Sequence, residues 1–311
     1  MSKSVSARRR FAYLNLVHAP RSNDLIEPEI LMLAYRSGIF PMADSRDDPE
    51  IFWIEPRQRA ILPLDGLRVS RSLARSLRRG RFEVTCNEAF SRVMDACAAP
   101  RPAHSAGNDA VDPTDDEHDG GSWISHRIQR SYEELHRLGS AHSIECWRRA
   151  PETGERVLVG GLYGVGFDGV FCGESMFSRE RDASKVALCW LVAALQRSGA
   201  QLLDCQFITS HLASLGAVEI PQAQYLRLLG TAQHTSGTPA VASANHGRAN
   251  AQLGLRSSTT GSSSGSASSS AGSGEAVCVA TGFAALLGDA GAAGMASSPG
   301  NFIAQSLTQT S

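Results

Sequence analysis

Asp204 and Gln206 stand two residues apart in Leu202–Gln206, a short run that reads as a strand, so both side chains project from one face. A glutamine amide is too weak a base to take a proton alone. Its carbonyl oxygen can accept a hydrogen bond from an amine and orient it. A carboxylate beside it can polarise that amide or stabilise a cation that forms during reaction. The pair reads equally as a structural polar contact at a strand end. Glu174, in Gly173-Glu174-Ser175-Met176, lies on another strand among apolar neighbours, and a carboxylate there needs a cation. That cation comes either from a substrate or from a protein arginine such as Arg179. No group has metal-ligand spacing; His136 and His142 read as surface or hydrogen-bonded histidines. The cysteines, at 86, 97, 146, 172, 189, 205 and 278, form no C-x-x-C pair and are odd in number. That pattern points to reduced thiols in a cytoplasmic protein.

The elements that must hold these residues alternate in type. Residues 28–37 read as a short helix with Pro28 in its first turn and Gly38 just past its end. Ser70 caps a second helix that turns Leu73 and Leu77 inward and closes at Gly80. Residues 81–85 alternate as a strand, and Asn87 then caps a helix through Phe90, Val93, Met94 and Cys97. A helix over 125–138 places Ile128, Tyr132, Leu135 and Leu138 on one face, with Gly139 after it. Strands follow at 143–147, 156–165 and 170–176, joined by turns at 151–154 and 167–169. A long helix spans 182–197, a strand 202–206, and helical chain resumes at 212 and ends with 222–229. Three antiparallel strands, a helix, a strand and a helix resemble the core of the acetyltransferase-like (GNAT) fold. The fold class is therefore α+β. A small N-terminal domain with a basic helix occupies 1–97, and a GNAT-like mixed-sheet domain occupies 122–230.

Two stretches read as unfolded. Residues 98–121 are acidic, with Asp115-Asp116-Glu117 and Asp119, and read as a mobile loop. Residues 231–311 are rich in Ser, Gly and Ala and read as a disordered tail, whose removal from 236 onward should leave folding and turnover unchanged. The 311 residues carry a net charge of −1, so no global field draws the chain to nucleic acid and any such contact must be local. No apolar run reaches the length of a membrane span, and the first residues lack a signal-peptide pattern.

An ordered set of motifs carries a resemblance. Gly38-Ile39-Phe40-Pro41-Met42, Ser122-Trp123-Ile124, Ala141-His142-Ser143-Ile144-Glu145, Leu158-Val159-Gly160-Gly161-Leu162-Tyr163-Gly164 and Cys172-Gly173-Glu174-Ser175-Met176-Phe177-Ser178 occur in this order. Ala183-Ser184-Lys185, Asp204-Cys205-Gln206 and the run 211–221 (HLASLGAVEIP) complete it. Together, over roughly residues 25–229 apart from the acidic loop, they resemble the leucyl/phenylalanyl-tRNA–protein transferase family. The resemblance implies transfer of Leu, and less readily Phe or Met, from aminoacyl-tRNA to proteins beginning with Arg or Lys, a degradation signal in bacteria. It gives Asp204 and Gln206 the catalytic role, and Glu174, read as holding the cation of the acceptor's Arg or Lys or of the donor's amino group, is grouped with them as a catalytic candidate. It places Met42, Trp123, Leu162, Met176, Phe177, Leu188, Leu191, Leu195 and Leu203 in substrate-binding positions. Met176 and the five leucines would form the slot for the donor side chain, or else plain core; Trp123 would stack on the tRNA's terminal adenosine. Many members carry Trp where this chain has Met42, which packs against a base but lacks aromatic stacking.

Such a reaction asks little of a protein. An aminoacyl ester is already activated, and an α-amine with a pKa of roughly 8 is partly neutral near pH 7. Alignment supplies most of the acceleration, and no cofactor is expected. Arg71, Arg75, Arg78 and Arg79 fall at helical spacings and share a face, flanked by Arg57, Arg59, Arg68 and Arg81. This face reads as a tRNA contact or as a solvated surface. A CoA-dependent N-acetyltransferase is the alternative from the same fold. It needs a glycine-rich pyrophosphate loop opening the central helix, and residues 178–184 have no glycine and two acids. A non-enzymatic tRNA-binding module is the other alternative, and it would need the arginines but not Asp204 or Gln206.

Overall fold

The computed structural model describes residues 14–18, 25–100, 122–235 and 279–308. Its centre is a seven-stranded sheet in the order β10-β4-β9-β8-β7-β6-β5. The strands are β4 (Gln58–Ile61), β5 (Glu83–Cys86), β6 (Ala141–Arg149), β7 (Arg156–Phe167), β8 (Val170–Ser178), β9 (Leu202–Gln206) and β10 (Val218–Pro221). Every neighbouring pair is antiparallel except β8 and β9. β7 turns into β8 through Asp168-Gly169, with Asp168 at φ 48°, the left-handed geometry that a tight hairpin requires. The parallel β8–β9 pair needs a crossover, and the helix Ala183–Arg197 supplies it. β4 and β5, from the stretch expected as the N-terminal domain, are strands of this large sheet.

Both faces of the sheet are covered, which is why β7 is buried along most of its length. We number the helices α1 (Pro28–Arg36), α2 (Arg71–Arg78), α3 (Phe90–Ala98), α4 (His126–Arg137), α5 (Ala183–Arg197), α6 (Ser210–Ser214), α7 (Gln222–Thr235), α8 (Val279–Ala292) and α9 (Pro299–Thr308). On one face, Val186, Trp190 and Leu191 of α5 pack with Leu73 and Leu77 of α2. On the other face, Leu31 and Tyr35 of α1, Val93 of α3, Ile128 and Tyr132 of α4 and Tyr225 of α7 form a second core. A separate sheet, β1 (Leu14–His18), β3 (Phe52–Pro56) and β2 (Phe40–Met42) in that order, is antiparallel throughout. It is stitched to the large unit where the Ala43 amide donates to the Trp123 carbonyl at 3.1 Å.

The capping expected at Ser70 is present, its hydroxyl accepting from the Leu73 amide, and Ser125 caps its helix in the same way by accepting from the Ile128 amide. Three expectations are corrected. Asn87 caps no helix. It sits at φ 63°, and its side chain accepts from the Ser143 amide and meets His142, tying the β5–α3 turn to β6. Leu138 is half exposed, because α4 ends at Arg137. The stretch from 231 onward is not uniformly unstructured: α7 runs to Thr235, and residues 279–308 form α8 and α9. Val279, Phe283, Leu286, Ile303 and Leu307 recur at helical spacing and are buried against the α5 core. Composition averaged over the whole stretch conceals these few apolar residues. The remainder of the expected tail, 236–278 and 309–311, and the acidic loop at 101–121 lie outside the described residues.

Candidate active site

β8 and β9 run side by side for three residue pairs, Val170–Leu202, Phe171–Leu203 and Cys172–Asp204. Beyond them the register stops and the strands part. β8 bulges at Glu174, which is left without a partner between the pairs Tyr163–Ser175 and Gly164–Gly173, and β9 ends at Gln206, whose φ is 62°. These two irregularities aim two side chains at each other. The Gln206 Nε2 donates to Glu174 Oε1 at 2.8 Å across the mouth of the split. The other carboxylate oxygen accepts from the Tyr132 hydroxyl at 3.2 Å, and the Tyr35 hydroxyl bonds to Tyr132. Glu174 is buried with no ion-pair partner among the described residues. Burial pushes its pKa up to about 7, against the pull of the Gln206 hydrogen bond. Arg179, the protein cation expected as one possibility, instead donates to the Leu158 carbonyl and lies over Phe177.

Asp204 is fully buried and already paired. Arg59 meets it through Nε, at 2.9 and 3.1 Å from the two oxygens, and through one terminal nitrogen at 2.5 Å. Tyr225 donates at 2.9 Å. Arg59 also donates to the Gly38 carbonyl at 3.0 Å and lies between the rings of Phe40 and Tyr225. The fork therefore joins the Gly38–Phe40 segment, α7 and β9. Asp204 in turn accepts the backbone amide of Gln206 at 2.8 Å, and this bond fixes the turned backbone that carries the Gln206 side chain toward Glu174. Its charge is committed to Arg59, so Asp204 positions Gln206 rather than meeting a new cation. The expectation that Arg59 belongs to the surface basic patch is corrected by the same contact. The signal was available: Arg59 sits between Gln58 and Ala60-Ile61-Leu62, a position where an arginine is buried only if paired. Tyr35 and Tyr225, missed, and Tyr132, read only as a core-facing position, have the helical spacing of apolar residues.

The other expected residues divide among three places. Leu162, Leu188, Leu191, Leu195 and Leu203 are nearly fully buried on the α5 face of the sheet, opposite Glu174 and Asp204. Met176 is half-buried at the margin of that core, as are Ile208 and Leu212. Met42, Trp123 and Phe177 are half-buried at the margin of the other core. Phe207, next to Gln206, is 37% exposed and stacks edge-on against Phe40. Arg71, Arg75, Arg78 and Arg79 all lie exposed on α2, while Leu73, Ala74 and Leu77 face inward. Arg81 is drawn off to Glu180, which also holds Arg148. Carboxylates thus stand before the first turn of α5: Glu180, and Asp182 at φ 67°. Among the described residues no cluster of His, Cys, Asp and Glu could hold a metal, and no helix is long and apolar enough to cross a membrane.

Residues 61–230 match the family model for leucyl/phenylalanyl-tRNA protein transferase, and residues 24–57 match its N-terminal domain. A leucyl/phenylalanyl-tRNA–protein transferase of Novosphingobium aromaticivorans is 57% identical over 288 residues, 92% of this chain and 97% of that protein. The protein of the same name from Rhodospirillum rubrum is 50% identical over 212 residues, 68% of this chain and 90% of its own. The chain belongs to the leucyl/phenylalanyl-tRNA–protein transferase family.

Proposed function

We propose that this chain moves an aminoacyl group from charged tRNA to the N-terminal α-amine of a protein, with Glu174 and Gln206 at the reacting atoms. Leu is the main donor, with Phe and Met taken less readily. Acceptors begin with Arg or Lys, and the product marks them for degradation in the cytoplasm. The observation that carries this reading is the Glu174–Gln206 hydrogen bond across the split between β8 and β9. It commits Nε2 of Gln206 to the carboxylate and leaves the amide oxygen to accept an N–H of the attacking amine. That nitrogen attacks the ester carbonyl; the C–N bond forms and the C–O bond to the terminal ribose breaks. The proton lost by nitrogen passes to the Glu174 carboxylate and then to the departing ribose oxygen, so the tRNA leaves with a free hydroxyl. A carboxylate titrating near 7 suits both transfers.

Met176, with Ile208 and Leu212, lines the slot for the donor side chain, and Leu162, Leu188, Leu191, Leu195 and Leu203 stiffen its back wall. A slot of this composition discriminates between neighbours one methylene apart by about 1–3 kcal/mol. Trp123 and Met42 flank the terminal adenosine. The exposed arginines of α2 contact phosphates. Glu180 and Asp182 count against the CoA alternative, because they stand where a pyrophosphate would meet helix N–H groups.

A single-turnover assay with leucyl-tRNA and a peptide beginning with Arg tests the reading. Leucyl transfer is expected without ATP or CoA and is expected to survive EDTA. Acetylation of the peptide by acetyl-CoA without leucyl transfer would replace this reading with the acetyltransferase. Tight tRNA binding with no transfer would replace it with a binding module.

A further inference from the structure

The helix that presents the arginines is poorly equipped to stand alone. α2 has eight residues, well short of the length at which an isolated helix becomes stable. Arg71 with Arg75, and Arg75 with Arg79, are like charges four apart, which weakens it further. The C-terminal pair α8 and α9, beyond the span 24–230 that the family models match, packs where this weakness lies.

α8 is seated on α5 by several independent contacts. Phe283 lies against Trp190 with ring centroids 5.1 Å apart, and Arg197 pairs with Asp289 at 2.7 Å. The backbones are so close that a Cβ on Gly282 would lie 2.2 Å from the Ala194 carbonyl oxygen. α9 then meets the last turn of α2. A Cβ on Gly300 would lie 2.4 Å from the Leu77 carbonyl oxygen, and the Ser298 hydroxyl donates to the Arg78 carbonyl at 3.5 Å. The N-terminal end of α9, with its partial positive charge, therefore abuts the carbonyl end of α2, an arrangement of helix dipoles that favours both. Ile303 and Leu307 join Leu73 and Leu77 in one core. With α9 in place all four arginines remain exposed, so the contact supports their face without covering it.

We propose that α8 and α9 are a brace that fixes the arginine face of α2 for the tRNA backbone; this rests on the reading of that face as the phosphate contact. The test is Gly300→Val, which forces α9 off α2 without changing any charge. Gly291→Val, at an exposed α8 position with nothing within 4 Å of a Cβ, is the control. Charged-tRNA affinity is measured against salt, and turnover is measured at saturating tRNA. Displacing one phosphate contact lowers affinity roughly eightfold at about 0.1 M salt and reduces the log–log salt slope by about 0.9. The account expects a loss of that size for Gly300→Val, wild-type binding for Gly291→Val, and turnover at saturation within about twofold of wild type for both. Wild-type affinity and slope in Gly300→Val, together with a lowered Tm, would reduce the pair to ordinary packing and overturn the proposal. Gly300→Ala, a smaller lesion at the same contact, keeps the test open if the valine variant does not fold. An Arg75→Ala, Arg79→Ala double variant separates the two readings. If it binds tRNA with the wild-type slope, the face itself is misassigned, while leucyl transfer stands.

Discussion

At the scale of single residues, a carboxylate kept dry sets the terms. Glu174 titrates near 7 in the folded chain, against 4.5 for an ordinary glutamate. The folded state therefore binds a proton that the unfolded state has released between those values, and stability falls as pH rises through that window. The whole cost is about 3 kcal/mol, at roughly 1.4 kcal/mol per pKa unit; it is absent below pH 4.5 and complete above 7. Glu174→Gln is therefore expected to raise the Tm at pH 8 and to change it little at pH 4.5, as a calorimetric scan at the two values would show. Tyr132→Phe removes a donor to the charged carboxylate. The acid limb of its pH–turnover profile should move upward by about one unit, and an unmoved limb would mean that the tyrosine only packs. Asp204→Asn leaves Arg59 buried with its countercharge gone, so it should cost about 3–5 kcal/mol of stability. The milder Tyr225→Phe keeps that ion pair and should lower turnover only modestly; a large loss would place Tyr225 closer to the chemistry than the clamp describes.

At the scale of elements, what the sequence could and could not disclose follows from range. Helix α2 was legible because a serine cap, an apolar spacing and a closing glycine are all local signals, and α4 because it shows the last two of these. β7 and β8 were legible because the Asp168-Gly169 turn sits between long apolar runs. The short strands β2, β3, β4 and β10, of three to five residues, were not found. They exist through pairing with distant chain, as Ile220 does opposite Arg59. The candidate site divides in the same way. The residue types at 174, 204 and 206 were visible, and the resemblance gave them a role. That Glu174 faces Gln206, and that Arg59 occupies Asp204, depends on the strand split and the positive φ of Gln206, which no local pattern encodes. At this scale too belongs the arginine face. Removing Arg75 and Arg79 together should lower the salt slope of tRNA binding by about two, with turnover at saturation unchanged. An unchanged slope would make α2 an ordinary solvated helix.

At the scale of the whole molecule, one sheet lies between two cores, and the proposed chemistry sits where its strands part. The C-terminal helices complete the α5-side core, so the expectation that the chain beyond 236 is dispensable is withdrawn. Deleting 279–311 uncovers Trp190, Leu73 and Leu77 and should lower the Tm by several degrees, since one fully buried aromatic or leucine is worth about 1.5–3 kcal/mol. A truncated chain with wild-type Tm would contradict the packing seen here. The central claim is that Glu174 accepts the proton of the attacking amine while Gln206 orients it. It is tested most directly by single-turnover leucyl transfer to an Arg-starting peptide, followed from pH 5 to 9 with saturating tRNA and peptide, in the wild type and in Glu174→Gln. The account predicts a wild-type rate that rises through an apparent pKa near 7, and a variant slower by about 10²–10⁴-fold that has lost that limb. A Glu174→Gln enzyme with the wild-type rate and the wild-type pH profile would contradict it.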